Sequence, residues 1–347
     1  MNYCKLYFDE LKQAVADVNL TPLYGKSILI TGGSGLILSG LTDILAYANT
    51  EQNADIQIYL AARTEAEISE RFTAWYGQSW MHFVYYDALK PADFAFKADY
   101  IIHGASNAHP SAYASEPVET LLANVTGLKE LLDYAVKSQS RRVLYISSSE
   151  VYGRKEEARP FQEDDYGFVD ILNPRACYPS GKRASETLCA AYSQEYHVET
   201  VIVRPGHIYG PTAASYDSRA TAQFARDVLG GNDIIMKSAG TQLRSYCYNM
   251  DCATAILTVL LQGQPAQAYN ISNKDSIVSI RQIAECFAQT AGKEIRFVSA
   301  SDAEQKSFNM MDNSSLNAEK LEQLGWNARY DMKLGVSHTL QIMKENE

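Results

Sequence analysis

Tyr178 and Lys182 stand four residues apart in the run Tyr178-Pro-Ser-Gly-Lys182. On a helix that spacing puts both side chains on one face. An ammonium beside a phenol favours the phenolate, and so does an oxidised nicotinamide; a phenolate is a usable base. Taken alone, the spacing is common and mostly that of a solvated helix face. A run of hydroxyls, Ser147-Ser148-Ser149-Glu150, adds to it at the end of an apolar stretch from Val143. Strand C-terminal ends line the ligand crevice in open parallel sheets. A serine there either hydrogen-bonds a reacting oxygen or forms a polar strand exit. The third element, Thr31-Gly32-Gly33-Ser34-Gly35, lies between a short apolar run and a helical stretch. Glycines let a backbone turn tightly and approach a pyrophosphate, whose charge a helix N-terminus favours. One position departs from this pattern: Leu38 stands where a third glycine would allow close helix–strand packing. A small register adjustment at Ser39-Gly40 would relieve the crowding.

These sites need a frame to hold them. Apolar runs at Ser27–Thr31, Ile56–Ala61, Met81–Tyr85, Tyr100–His103, Val143–Ser147 and Thr200–Arg204 alternate with helical stretches, notably Glu116–Lys137 and Cys177–Tyr196. Alternation at these lengths predicts an α/β fold, a doubly wound parallel sheet with helices on both faces. Beyond Arg204 the elements shorten, with helices expected near Ala220–Leu229, Met250–Leu261, Ile280–Ala291 and Asn317–Leu324. The expected division is a helical extension over 1–24, a dinucleotide-binding domain over 25–205, and a smaller, mainly substrate-binding lobe over 206–347. Some segments of that lobe should return to the first domain. In the extension, Leu11, Val15 and Val18 share one helical face, as in a helix docked on the body or on a partner subunit.

Composition narrows the function classes. The 347 residues are 46% hydrophobic, enough for a large core. A formal charge of −10 argues against a nucleic-acid surface, which needs clustered Lys and Arg. No apolar run is long enough to span a membrane. The start, MNYCKLYFDELKQ, lacks the uninterrupted apolar core of a signal peptide. Six cysteines without C-x-x-C spacing read as free thiols of a cytoplasmic protein. No metal-binding cluster is evident.

The order TGGxG, Asn124-Val-Thr-Gly, SSSEVYG and Y-x-x-x-K resembles the extended short-chain dehydrogenase/reductases (NAD-dependent epimerase/dehydratases) that modify sugar nucleotides. The resemblance runs from about Lys26 to the C-terminus. It sharpens at Asn173-Pro-Arg-Ala-Cys-Tyr-Pro-Ser-Gly-Lys-Arg183, which is similar to the PRACYxxGKR stretch of UDP-glucuronate decarboxylases, the UDP-xylose synthases. His103-Gly-Ala-Ser106, Asp217-Ser-Arg219 and Thr241-Gln-Leu-Arg244 resemble segments of that group as well.

This resemblance implies a Rossmann-type fold, a UDP-linked sugar substrate and a homodimer. In related enzymes the two long helices pair across a two-fold axis, so Leu121, Leu128, Leu132, Ala184, Leu188 and Tyr192 either form that seam or face the sheet. The implied catalytic set is Ser148, Glu150, Tyr178 and Lys182. Cofactor contacts would come from Gly32, Gly35, Leu36, Ile37, Arg63, Asp87, Ala105, Tyr178 and Lys182. Substrate contacts would come from Ser149, His207, Arg219 and Arg244, with Arg244 at the diphosphate. Asp87 is either an adenine contact or a turn residue. Arg204-Pro-Gly-His207 departs from the family, which usually has Asn where His207 stands; His207 either donates to the substrate or fills the crevice. The second strand ends in Ala61-Ala62-Arg63 rather than the acid that holds the ribose hydroxyls of NAD. The resemblance favours NAD, while Arg63 would suit the 2′-phosphate of NADP. The implied reaction is decarboxylation of UDP-glucuronate through a 4-keto sugar. Its alternatives are 4-epimerisation and 4,6-dehydration, though a dehydratase would want an acid at Ser149. A catalytically silent Rossmann-type binding protein is the reading from another class.

Overall fold

The computed structural model describes residues 3–106, 113, 115–157, 159–299 and 311–345. Its centre is a seven-stranded sheet of β1 (Ser27–Thr31), β2 (Gln57–Ala62), β3 (Met81–Tyr85), β4 (Tyr100–His103), β5 (Arg142–Ile146), β6 (Thr200–Pro205) and β10 (Gln267–Ile271). The order is β10-β6-β5-β4-β1-β2-β3. Every pairing in it is parallel. The order reverses between β1 and β4, and a doubly wound sheet opens its ligand crevice at that switch. Alternate residues feed opposite faces: Ile28, Ile30, Ile102 and Leu144 join one core, and Leu29, Ile101, Val143 and Tyr145 the other.

Helices α2 (Leu36–Gln52), α4 (Pro117–Ser138) and α5 (Cys177–Tyr196) cover the faces, with the short α3 (Glu65–Arg71) between β2 and β3. On α4 and α5, Leu128 and Leu132 are buried against the sheet, while Leu121 and Ala184 are exposed. Strand β10, which closes the sheet beside β6, had no apolar run to announce it: its sequence is Gln-Ala-Tyr-Asn-Ile. Helix α7 (Asn249–Gln262) leads into it and packs on α2.

The smaller lobe holds β7 (His207–Tyr209), β9 (Leu243–Tyr248), β11 (Ile277–Ser279) and β13 (Asn313–Ser314), centred on β9. A separate pair joins β8 (Ile234–Met236) to β12 (Ile295–Phe297). Helices α6 (Ala220–Leu229) and α8 (Ile280–Ala291) pack beside them. The helix expected over Asn317–Leu324 shrinks to α9 (Glu319–Glu322). The Asn317 side chain accepts the Glu319 amide in a turn, and Gly325 ends the segment at φ +90°.

Helix α1 (Lys5–Asp17) packs on α2, α7 and the last helix, α10 (Met332–Lys344). Asp43 on α2 is fully buried and takes hydrogen bonds from Tyr3, Tyr7, Arg71 and Trp75 at 2.6–2.9 Å. Four donors on one carboxylate offset the cost of burying its charge. All six cysteines are free thiols. No helix among the described residues is long and apolar enough to cross a membrane.

Candidate active site

The glycine loop turns where β1 meets the end of β4. Gly32 has φ +73°, and a Cβ there would stand 2.9 Å from the Ala105 nitrogen. Only glycine lets the two backbones approach this closely. Gly35 is the N-cap of α2, and no side chain caps the amides of its first turn. Thr31 ties the sides together: its Oγ accepts the Ala105 amide at 3.2 Å and lies 2.7 Å from Nδ1 of His103. Leu38, in the third-glycine position, is accommodated from the opposite strand. A Cβ on Gly104 would fall 2.5 Å from its Cδ1, so the missing side chain on β4's exit makes room for the leucine. A cradle that a Cβ would fill, at a helix N-terminus, fits a dinucleotide pyrophosphate. Arg63 lies exposed just beyond β2. Asp87 is half-buried after β3, where its carboxylate accepts the Leu89 amide at 3.0 Å in a turn.

Across the crevice, β5 delivers Ser147, Ser148 and Ser149. The Ser148 hydroxyl accepts the Glu150 amide at 3.2 Å and lies close enough to the Tyr178 phenol to favour its ionisation. Tyr178 opens α5 and is 6% exposed. Its phenol is pushed up to about 12, first by burial and then by the Glu150 carboxylate; Ser148, Arg219 and Tyr113 pull the other way. Lys182 lies one turn on, its Nζ donating to the Ile146 carbonyl at 2.8 Å and standing 5.6 Å from the Tyr178 ring. Burial brings this ammonium down to about 7, against the opposing pull of Glu186. The spacing of the tyrosine and lysine therefore does put both on one cleft wall, beside the serine run.

The smaller lobe supplies the third wall. Arg244 on β9 is 2% exposed and donates to the Leu243 carbonyl at 2.8 Å. Arg219 precedes α6 and is held on both carboxylate oxygens of the buried Asp217. His207 on β7 packs against Tyr246, ring centroids 5.7 Å apart. Its imidazole is brought down to about 3 by burial and by Arg244 and Arg219.

The NAD dependent epimerase/dehydratase family model matches residues 28–272. The chain belongs to that family. UDP-glucuronic acid decarboxylase 1 of Xenopus tropicalis is 31% identical over 92% of this chain and 72% of its own length. UDP-glucuronic acid decarboxylase 6 of Arabidopsis thaliana is 32% identical over 74% of this chain and 72% of its own. A solved UDP-glucuronic acid 4-epimerase mutant from Bacillus cereus, in complex with UDP-4-deoxy-4-fluoro-glucuronic acid and NAD, superposes with TM-score 0.79. It shares 20% identity and covers 92% of this chain and all of its own.

Other residues of this family member came into view only with the fold. Arg175 grips Glu150 through both oxygens, at 2.9 and 3.0 Å, so that carboxylate is already forked to a guanidinium. The Arg175 cation lies 5.1 Å from the centre of the Tyr113 ring, which stacks on Tyr178 at 4.6 Å. Glu186 takes the Ser147 hydroxyl at 2.5 Å and both arms of Arg204, fixing the exit of β5 to α5 and β6. Arg175 sits inside the Asn173–Arg183 segment that carried the resemblance, but its partner is 25 residues away. Only the acid at Glu150, in a second family-like segment, could have hinted at it.

Proposed function

We propose that this protein decarboxylates UDP-glucuronate to UDP-xylose, with NAD held at the glycine loop and regenerated within each cycle. The observation that carries the reading is the joint placement of Ser148, Tyr178 and Lys182 at the end of β5. The 31% identity with a decarboxylase over nearly the whole chain supports the choice of reaction. NAD, when bound, takes a hydride from C4 of the sugar and later returns it.

The residues divide the rest of the work. Tyr178, as phenolate, takes the proton of the C4 hydroxyl. Lys182, protonated beside it, lowers the cost of that phenolate. With C4 oxidised, the C5 carboxylate becomes that of a β-keto acid. The C5–carboxyl bond breaks, carbon dioxide leaves, and the electron pair moves onto the C4 oxygen as an enolate. The hydroxyls of Ser148 and Tyr178 stabilise that oxygen, where the charge develops. A proton from solvent then adds at C5, and Tyr178 gives its proton back to the C4 oxygen as C4 is reduced again. The Arg175 fork matters here: with Glu150 on both arms of its guanidinium, Arg175 is not free to stabilise the substrate carboxylate that must depart. On the far wall, Arg244 binds the diphosphate, with Arg219 and His207 beside it.

Mass spectrometry of the product tests the reading. UDP-glucuronate should lose the mass of carbon dioxide, with no net consumption of NAD. Loss of water instead would assign a dehydratase, and an unchanged mass with a new configuration would assign an epimerase. No turnover of any nucleotide sugar, despite NAD binding, would favour a silent binding protein.

A further inference from the structure

The substrate end of the cleft carries polarity that the protein itself leaves unmet. His207 pairs in register with Tyr246 across β7 and β9. Arg244, two residues before Tyr246, lies on the same face of β9. Nδ1 of His207 is buried with no hydrogen-bond partner among the described residues. Arg244 has no carboxylate within ion-pair distance among them either; Asp312 and Glu150 act on it only from farther off, and Glu150 is forked to Arg175. Arg219 differs, since Asp217 already neutralises it. The groups facing His207 are therefore Arg244 and Tyr246 from β9 and Arg219 from the start of α6.

We propose that His207 is a specificity residue for the substrate's diphosphate and takes up a proton as the nucleotide sugar binds. This rests on the nucleotide-sugar reading above. A diphosphate diester brings two negative charges into a wall where, among the described residues, Arg244 is the positive group facing His207 that no carboxylate pairs. The balance is met when the imidazole gains a proton from solvent and donates an N–H to a phosphate oxygen. In the empty cleft the ring is neutral, because burial and the two arginines hold it down to about 3. Bound phosphate reverses the sign of that field and raises it. Between the free and bound values the complex holds more protons than the free protein, so affinity increases as pH falls. The asparagine usual in the family carries no such proton.

Calorimetry with the NAD-loaded Tyr178→Phe variant tests this without turnover. The probe is UDP-glucose, whose two phosphates are diesters and stay ionised across the range used. Binding heats are compared in two buffers of different ionisation enthalpy, from about pH 5 to about pH 8. The expected result is uptake of part of a proton on the acid side, with affinity rising by at most about tenfold per pH unit lowered. His207→Asn should abolish the uptake and flatten the affinity profile. Binding without proton uptake, or with uptake unchanged in both His207→Asn and His207→Gln, overturns the proposal and leaves the nucleotide-sugar reading standing. Failure of both UDP-glucose and UDP-glucuronate to bind at any pH removes that reading, and this one with it.

Discussion

The two walls of the cleft treat their charges differently. On the catalytic wall, Glu150 is forked to Arg175, Glu186 to Arg204, and Lys182 rests on a backbone carbonyl. On the lobe wall, Arg219 is paired with Asp217, but Arg244 is buried without a counter-ion and Nδ1 of His207 without a partner among the described residues. A paired wall is pre-organised: its groups keep their places whether or not substrate is present, as the chemical step requires. An unpaired wall is costly to hold empty, and a ligand of the right charge recovers that cost on binding. On the function proposed above, chemistry belongs to the first wall and recognition to the second.

The largest effect should come from the paired wall. Tyr178→Phe removes one oxygen and leaves Lys182, Ser148 and the Arg175 fork in place. Turnover should fall by on the order of a thousandfold or more, about 4 kcal/mol of barrier, while NAD binding stays largely intact. Activity within about tenfold of the parent enzyme would reject Tyr178 as the essential base and end the distinction between the walls.

Why that tyrosine was legible in the sequence, and other residues were not, follows from distance along the chain. Tyr178 and Lys182 share one helix, so their separation alone puts them side by side. The glycine loop is equally local, a strand end followed by a helix start. The inner runs of the main sheet stand out because buried parallel strands are apolar on both faces. Strand β10 escapes this rule: Gln267 and Asn270 interrupt its apolar residues, and Asn270 is satisfied by Tyr152 and by the backbone carbonyls of Phe161 and Asn317. The pairings of Glu150 with Arg175 and of Leu38 with Gly104 are tertiary. Each member looks ordinary in its own segment, and Leu38 looks like a defect until the opposite strand is in place.

That last pair yields a smaller effect, at the hinge between the walls where cofactor must lie. Gly104→Ala puts a methyl 2.5 Å from Leu38 Cδ1 and 3.4 Å from the Ile146 side chain. Overpacking there should destabilise the protein by about 1–3 kcal/mol, read as a lowered denaturant midpoint. In a Leu38→Ala background the same substitution should cost markedly less, because the space has been vacated. Equal costs in both backgrounds would show that Gly104 does not compensate for Leu38.

The smallest effect concerns Arg63, which belongs to neither wall and sits exposed beyond β2. No acid ends that strand to take the ribose hydroxyls, and Glu65, the next carboxylate, accepts the Tyr76 phenol at 2.5 Å. An exposed guanidinium gains little from one phosphate, since water and salt screen the pair to about 1 kcal/mol or less. NAD should therefore remain the tighter cofactor, with Arg63 giving NADP a residual affinity. Arg63→Ala should weaken NADP by less than about tenfold and leave NAD unchanged in a fluorescence titration. A protein that clearly prefers NADP, and loses the preference on Arg63→Ala, would place the 2′-phosphate at Arg63 and reverse the cofactor assignment. The catalytic wall would stand unaltered, because hydride transfer occurs at the other end of the dinucleotide.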